Sequence, residues 1–227
     1  MCGRFTITLT VGFSERFGLE EVYIPPAPRY NIAPSQPVPV IVSTRDGRRT
    51  AMEMTWGLTP SWARDPSAVH PLINARAESL PERRAFRIPL ERHRCLVPAT
   101  GFYEWQSSGR RRIPYYIRRK DGDLFAFAGL FDISRGGAPA ICSFSVVTTR
   151  PNTLVARYHD RMPAILRRED ESRWLSPGVP DPADLAAMLS PYPEEFLEAY
   201  QVPGAVNDPE REGPDLIRSV RYGTLTD

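Results

Sequence analysis

Seven short runs rich in apolar and β-branched residues occupy the middle of the chain, each bounded by glycine, proline or serine. Runs of this length between turn-forming residues are typical of β-strands. They cover residues 38–43, 51–56, 94–97, 102–106, 115–118, 125–131 and 142–148. The turn at 107–109 predicts a hairpin between two of these runs, with arginines 110–112 on its rim. The centre of the chain is therefore expected to form a sheet.

Four other segments are predicted to be helices that flank the sheet. They cover residues 12–17, 152–158, 169–175 and 183–189. Pro151 precedes the second, and Asp181 or Pro182 can begin the last, because both residue types favour the start of a helix. The 24 prolines are spread along the chain, and we find no internal repeat. The pattern predicts one α+β domain over residues 1–227, with a curved, barrel-like sheet of mixed or antiparallel strands flanked by helices.

Composition favours a soluble protein of the cytoplasm. No apolar run approaches the roughly 20 residues that span a bilayer, and no secretory signal is recognisable at the N-terminus. Cys2, Cys95 and Cys142 form neither an even set nor a CxxC pair, which argues against a disulfide framework and a zinc site. We therefore expect no membrane contact, no metal and no cofactor, and we expect any special cysteine to be a reactive thiol.

Charge is distributed unevenly along the sequence. Residues 1–120 contain 19 lysine and arginine residues against 10 acidic ones, whereas the remaining residues contain 10 against 17. A basic half suits an anionic partner such as DNA, although neighbours in sequence need not be neighbours in space. Nearly all the cations are arginines, which suit bidentate phosphate contacts, but genome composition can produce the same bias.

Cys2 offers unusual chemistry if Met1 is removed, because one residue then presents both a thiol and a free α-amine. The pKa of such an amine lies near about 8, so a useful fraction is neutral at pH 7, and the thiol can be activated by its neighbours. The amine can condense with an aldehyde to an imine, and the sulfur can then close a thiazolidine ring. Without further context, a cysteine at position 2 is more often accidental than catalytic.

Two segments offer contacts to a nucleic acid. Trp56 and Trp62 bracket a loop that contains glycine and proline, and both core packing and stacking on exposed bases fit this pattern. Asn74 and Arg76 are two residues apart, so they would share one face of an extended segment.

Two further segments offer acid–base groups. Glu104 lies among aromatic residues at the start of a strand, where burial would raise its pKa; the alternative is a glutamate exposed on an edge strand. His159 follows the predicted helix 152–158, where the helix dipole favours a protonated imidazole, although a lone histidine is usually structural. The spacing to His70 and His93 does not suggest metal binding.

Several motifs occur in a specific order along the chain. They are MCGRF at 1–5, RYNIAPSQ at 29–36, WGL at 56–58 with Trp62, INARAE at 73–78, GFYEW at 101–105, TT at 148–149 and HDRMP at 159–163. Together they resemble the SRAP (SOS response-associated peptidase) family, which includes abasic-site crosslinking proteins. The resemblance extends from Cys2 to about Leu216.

The resemblance implies a single SRAP domain whose mature chain begins at Cys2 and whose substrate is an abasic site in single-stranded DNA. It implies that Cys2 is the nucleophile, through its amine and sulfur, and that Asn74 holds Cys2 and the sugar. Glu104 would then manage protons on the amine and the sugar, and His159 would assist opening of the sugar ring. AP-lyase activity is a plausible accompaniment, and the family name also records a peptidase, acting on residues that precede the cysteine.

The resemblance also implies contacts with DNA. Arg4 and Arg76 match positions that hold phosphates next to the lesion, while Trp62, Trp105 and Thr148 are further candidates for DNA binding. We expect a monomer that associates with the nucleoid when it is bound to DNA.

Three other functions remain open at this point. A thiol peptidase could use Cys2 with His159, and a non-catalytic module could bind single-stranded DNA through Trp62, Trp105 and the arginines. A glutamine amidotransferase with an N-terminal cysteine nucleophile is a weaker alternative, because its further motifs are missing from the sequence.

Overall fold

The computed structural model describes residues 2–220, apart from 22, 24, 26, 64, 66, 67, 110 and 137–139. Met1 and Arg110 therefore lie outside the described residues. The described strands are β1 Phe5–Ile7, β2 Arg29–Ile32, β3 Pro37–Ser43, β4 Arg49–Trp56, β5 Asn74–Arg76, β6 Arg94–Ala99, β7 Gly101–Ser108, β8 Arg111–Arg119, β9 Phe125–Ser134, β10 Ile141–Thr149, β11 Met162–Pro163 and β12 Leu197–Gln201. The described α-helices are α1 Phe13–Phe17, α2 Arg84–Arg92, α3 Arg168–Leu175 and α4 Pro182–Met188.

Five strands close into a barrel. Neighbouring strands pair in the order β10, β4, β3, β6 and β9, and β9 pairs again with β10. The β4–β10 pairing is parallel, whereas the other four pairings are antiparallel. The expectation of a single α+β fold with a barrel-like, mixed sheet is therefore confirmed.

Strand β10 extends beyond the closed part of the barrel and exchanges its neighbours. Its first half lies between β4 and β9, whereas its last residues lie between β5 and β11. Asn74 of β5 pairs with Val146, and Arg76 pairs with Thr148. This end of β10 therefore brings the segments 74–76 and 162–163 together.

The second sheet is antiparallel and has the strand order β12, β8, β7, β1, β2. Only Thr100 separates β6 of the barrel from β7 of this sheet. Its hydroxyl lies 2.7 Å from that of Thr6, which in turn lies 2.8 Å from the hydroxyl of Tyr116. These buried hydroxyl groups satisfy one another where the chain passes between the two sheets.

Two apolar clusters hold the sheets in place. In the larger cluster, the rings of Phe5 and Trp56 meet edge to face with centroids 5.0 Å apart. The smaller cluster joins the second sheet to the C-terminal segment and consists of Tyr103, Tyr116, Val202, Val206 and Leu216. The C-terminal segment thus belongs to the folded core.

Three of the four predicted helices are confirmed, as α1, α3 and α4. The carboxylate of Asp181 accepts a hydrogen bond from the backbone N–H of Ala183 at 2.8 Å, as expected of a residue that begins a helix. None of the described helices has the length and apolar character needed to cross a membrane.

The predicted helix 152–158 is wrong, because that segment forms only a 3-10 turn at Val155–Arg157. The side chain of Asn152 accepts a hydrogen bond from the N–H of Val155 at 2.9 Å and donates one to the carbonyl of Tyr192 at 2.7 Å. Such local side-chain bonds compete with a regular helix. Helix α2 was not predicted, since it is rich in arginine and contains Pro89.

Candidate functional site

Cys2 and Asn74 are in direct contact. The side-chain amide of Asn74 donates a hydrogen bond to the carbonyl oxygen of Cys2 at 2.9 Å. Asn74 is held in place by its strand, because the carbonyl of Ile73 accepts hydrogen bonds from the indole of Trp56 at 2.8 Å and from the N–H of Val146 at 3.1 Å. The barrel therefore positions the residue that holds Cys2.

The Cys2 thiol is buried and favours its neutral form. Burial raises the pKa of the thiol well above its ordinary value, and the nearby charge of Glu104 acts in the same direction. The thiol lies 3.9 Å from the carbonyl oxygen of Arg4, to which it donates a weak hydrogen bond. The expectation that neighbours activate the thiol is therefore wrong for the described residues.

Glu104 is buried as the sequence predicted, since only 2% of the residue is exposed. Burial raises the pKa of this carboxyl group to about 7. Its Oε1 atom is buried without a hydrogen-bond partner in the described part of the chain, and the same holds for Oδ1 of Asn74. Buried oxygen atoms of this kind are costly, so two acceptors beside Cys2 are available to a ligand.

His159 lies just after the 3-10 turn, where its N–H donates to the carbonyl of Val155 at 3.0 Å. Its Nδ1 atom accepts a hydrogen bond from the N–H of Arg161 at 3.0 Å and lies 2.7 Å from Oδ1 of Asp160. The Nδ1 atom thus lies between a donor and an acceptor. Burial lowers the pKa of His159, so the expectation that a helix dipole favours its protonated form is wrong.

Arg161 fixes the position of this loop. Its guanidinium binds both carboxylate oxygens of Glu78, at 2.8 and 2.9 Å, and donates to the carbonyl oxygen of Thr148. A bidentate arginine–carboxylate pair restricts orientation as well as distance. The pair therefore joins the motif at 159–163 to the motif at 73–78, which carries Asn74.

The segments that carry Glu104 and His159 are in contact. Tyr115, which is paired with Glu104 in the second sheet, stacks against Tyr158 with ring centroids 4.3 Å apart. The charge of Asp160 also acts on Glu104. Cys2, Asn74 and Glu104 thus lie together at the start of β1, and the loop that carries His159 lies against the strand pair that carries Glu104.

A cleft of about 470 Å³ lies beside these residues. It is lined by Gly3, Arg4, Trp105, Arg112 and Asn207. The guanidinium of Arg4 donates to Asn31 Oδ1 at 2.7 Å and to the carbonyl oxygen of Val206 at 2.8 Å. The indole of Trp105 donates to Oδ1 of Asn207 at 2.7 Å. A cation and an aromatic ring, both held in place, thus line one side of the cleft.

The role of the C-terminal segment was missed at the level of sequence. Carbonyl groups of Val206 and Asn207 hold Arg4, and the amide of Asn31 donates to the carbonyl oxygens of Asp208 and Arg211 at 2.9 Å. Asn31 lies within the RYNIAPSQ motif, and this motif is the feature of the sequence that could have marked it as a functional residue. The motif does not indicate that Asn31 binds the C-terminal segment, which is far away in sequence.

The other predicted DNA-binding residues differ in their surroundings. Arg76 is exposed beside Thr148. Trp62 is 46% exposed and lies under the guanidinium of Arg84, 4.6 Å from its ring centroid, but no contact among the described residues joins it to the cleft. Thr148 is fully buried and bonded to Arg161, so its predicted contact with DNA is wrong. Trp56, the alternative stacking residue, is buried in the core.

Comparison with known proteins identifies relatives of the whole chain. A family model described as SOS response associated peptidase (SRAP) matches residues 1–209. The chain is 41% identical to the abasic site processing protein YoqW of Bacillus subtilis, over 96% of this chain and 100% of that protein. It is 31% identical to the abasic site processing protein YedK of Escherichia coli, over 97% of this chain and 100% of that protein.

Solved structures give the same result. A crystal structure of a protein from Bacteroides thetaiotaomicron matches with a TM-score of 0.84 at 28% identity, covering 97% of this chain and 100% of that chain. The matching family model, the relatives above 30% identity and the shared fold each cover most of the sequence. The chain therefore belongs to the SOS response associated peptidase (SRAP) family.

Proposed function

We propose that this protein processes abasic sites in single-stranded DNA by forming a covalent thiazolidine link between Cys2 and the lesion. The observation that carries the proposal is the arrangement of Cys2, Asn74 and Glu104, with two buried acceptor oxygens that lack partners among the described residues. The relatives named abasic site processing proteins support abasic sites as the substrate. The proposal requires that Met1 be removed, so that the α-amine of Cys2 is free.

The reaction begins with the amine, since burial disfavours the thiolate. The neutral amine attacks C1′ of the ring-opened sugar, and loss of one water molecule gives an imine. The sulfur then adds to the imine carbon while the thiol proton passes to the nitrogen, which closes the thiazolidine ring. The net change is the loss of one water molecule for each crosslink.

Glu104 is suited to carry the protons of these steps. A carboxyl group with a pKa of about 7 can accept a proton from the attacking amine and return it to the departing hydroxyl group. His159 would donate a proton to the sugar ring oxygen as the ring opens. Asn74 keeps the Cys2 backbone, and hence its amine, in position.

The DNA strand is proposed to bind along the cleft. Arg4 and the exposed Arg76 would contact phosphates, and Trp105 would stack on a neighbouring base. Trp62 remains a candidate for a second stacking contact because it is exposed. We propose that the protein acts in the cytoplasm as a monomer and joins the nucleoid through this contact with DNA.

Two further activities follow from the proposed intermediate. An imine at C1′ acidifies the neighbouring C2′–H bond, so β-elimination and strand cleavage can accompany crosslinking. Autocatalytic removal of residues before Cys2 would account for the family name. A thiol peptidase that acts on other proteins is disfavoured, because such an enzyme needs a thiolate, whereas burial keeps the Cys2 thiol neutral.

The proposal is tested with a single-stranded oligonucleotide that contains one abasic site, followed by a denaturing gel. We expect a slowly migrating band for the wild type and for Cys142→Ala, a matched cysteine control, but none for Cys2→Ala. Without reduction, Cys2→Ser should give no band either. Both variants retain the α-amine, so each should yield a band after borohydride reduction of the imine. Intact mass should show a chain without Met1, heavier by the oligonucleotide minus one water.

A denaturant-resistant band with Cys2→Ala in the absence of borohydride would contradict the proposal. So would attachment of the sugar to another residue, or retention of Met1 in crosslinked protein.

A further inference from the structure

Arg112 is the second cation of the cleft. It lies on β8 opposite Ser107, so it shares one face of the hairpin with Trp105, which pairs with Pro114 two residues along β8. Arg112 and Trp105 both line the cleft of about 470 Å³ together with Arg4. Arg111 precedes Arg112 in β8, so its side chain projects from the opposite face of the hairpin.

The two cations of the cleft differ in their partners. Arg4 is partly buried, and three oxygen acceptors, from Asn31, Val206 and Asn207, hold its guanidinium. Arg112 is exposed, and no carboxylate or carbonyl group in the described part of the chain binds its side chain. Its donors are therefore available to an anion, and guanidinium geometry matches the oxygens of a phosphate.

The charge of Arg112 also acts on the proposed acid–base groups. It lowers the pKa of Glu104, against the larger effect of burial, and it lowers the pKa of His159 in the same direction as burial. The other groups that face Glu104 are the chain's α-amine, which lowers its pKa more than Arg112 does, and Asp160, the Cys2 thiol and Tyr115. The other groups that face His159 are the α-amine, which lowers its pKa more than Arg112 does, and Asp160 and Arg161. Arg112 is thus a cation of the cleft whose charge acts on both residues, in the same direction as the α-amine.

We infer that Arg112 binds a backbone phosphate next to the abasic sugar and, as a positioning residue, couples DNA binding to the protonation of Glu104 and His159. This inference rests on the proposed function. Before DNA binds, the charge of Arg112 favours the carboxylate of Glu104 and the neutral ring of His159. A bound phosphate offsets that charge, so both residues hold a proton more readily.

The coupling suits the order of the proposed steps. Opening of the sugar and departure of water each need a proton donor, and these steps begin only after the strand is bound. A group that gains its proton on DNA binding is ready as an acid at that stage. While no substrate is present, Glu104 would then be protonated in a smaller fraction of the molecules than in the complex.

The test compares Arg112→Gln with Arg111→Gln, which removes the same charge from the neighbouring position on the other face. Binding is measured with a single-stranded oligonucleotide that carries a tetrahydrofuran site, which has no aldehyde. We expect Arg112→Gln to bind about tenfold more weakly and to reduce the slope of log K against log salt by about 0.7, the value for one phosphate contact on a single strand. Arg111→Gln should keep the wild-type slope.

The coupling is measured as crosslinking rate against pH with the natural abasic oligonucleotide, at limiting and at saturating DNA. The first profile reports the free protein and the second the complex. For the wild type, Arg111→Gln and Arg112→Lys, we expect the midpoint to lie at higher pH when DNA is saturating. For Arg112→Gln, the midpoint at limiting DNA should already lie at the higher value, so the difference disappears.

The outcomes separate the two proposals. A wild type that forms no band dependent on Cys2 overturns the proposed function itself. If the wild type crosslinks but Arg112→Gln has the salt slope and both pH midpoints of Arg111→Gln, only the inference about Arg112 fails. Urea unfolding of each variant shows that the comparison is made on folded protein.

Discussion

Glu104 holds a carboxyl group where water has almost no access. Burial raises its pKa to about 7 and the charge of Asp160 acts in the same direction, while the charges of the α-amine and Arg112 act in the opposite direction. Near neutral pH such a group is protonated in about half of the molecules, so it can both take and return a proton. The burial that suits Glu104 to proton transfer also means that its charged form destabilises the folded protein.

Glu104→Gln should therefore change how stability depends on pH. The carboxyl group of Glu104 ionises near pH 4.5 in the unfolded chain and near pH 7 in the folded protein. Its contribution to the free energy of unfolding is therefore fully present below pH 4.5 and is lost as the pH rises through 7. Glutamine cannot ionise, so we expect the variant to gain on the wild type between about pH 5 and pH 8, by at most about 3 kcal/mol in free energy of unfolding. Urea unfolding at several pH values measures the difference.

Glu82→Gln is the matched control, because Glu82 lies exposed on the surface. Equal pH dependence of stability in the two variants would show that Glu104 ionises as an ordinary glutamate.

At the scale of elements, the site depends on the passage from the barrel to the second sheet. Gly101 lies at this passage directly after Thr100, and its position opposite Arg118 places it against the ring of Tyr116. A Cβ atom there would lie 2.7 Å from Cε2 of Tyr116, closer than real side chains allow. The hydroxyl group of Tyr116 also shares a hydrogen bond with the hydroxyl group of Thr6.

Gly101→Ala should destabilise the protein, because the Tyr116 ring must move away from the new methyl group. Its hydroxyl group then loses the hydrogen bond with Thr6. We expect a loss of about 1–3 kcal/mol in free energy of unfolding, measured by urea denaturation. Gly204→Ala is the control, since the nearest atom to a Cβ there is Asn207 Nδ2 at 3.8 Å. A loss no larger than that of the control would mean that Tyr116 adapts without cost.

The strands also show which elements a sequence pattern can predict. All seven predicted runs lie within strands, because alternation and turn residues are local signals. Strands β1, β2 and β5 have three or four residues each and were not predicted as strands, because such lengths carry too little periodicity. Their pairing with distant partners, rather than their composition, makes them extended.

At the scale of the whole molecule, the site is assembled from both ends of the chain. Arg4 reaches the carbonyls of Val206 and Asn207, about two hundred positions later in sequence. The four predicted catalytic residues could be named from motifs, but the placement of Asn74 beside Cys2 depends on β10 passing from one set of neighbours to another. Contacts of this kind are set by topology, so the role of the C-terminal segment could not be predicted from its own residues.

Leu216→Ala tests whether this segment supports the cleft. Leu216 is fully buried against Tyr103 and Val206, so truncation leaves a cavity, and we expect a loss of about 2–4 kcal/mol in free energy of unfolding. Because the carbonyl of Val206 accepts a hydrogen bond from Arg4 at 2.8 Å, loosening this cluster should also weaken binding to abasic single-stranded DNA under conditions where the variant remains folded. Urea unfolding and DNA titration measure the two effects.

Leu9→Ala removes the same atoms from a side chain that is 40% exposed, so it should change stability by less than about 0.5 kcal/mol and leave DNA binding intact. If Leu216→Ala lowers stability but binds DNA as tightly as Leu9→Ala, the C-terminal segment supports the fold without positioning Arg4. If it matches Leu9→Ala in both measurements, the second apolar cluster does not stabilise the protein. A loss in both, with folded protein confirmed, would show that the cleft depends on the joining of the two chain ends.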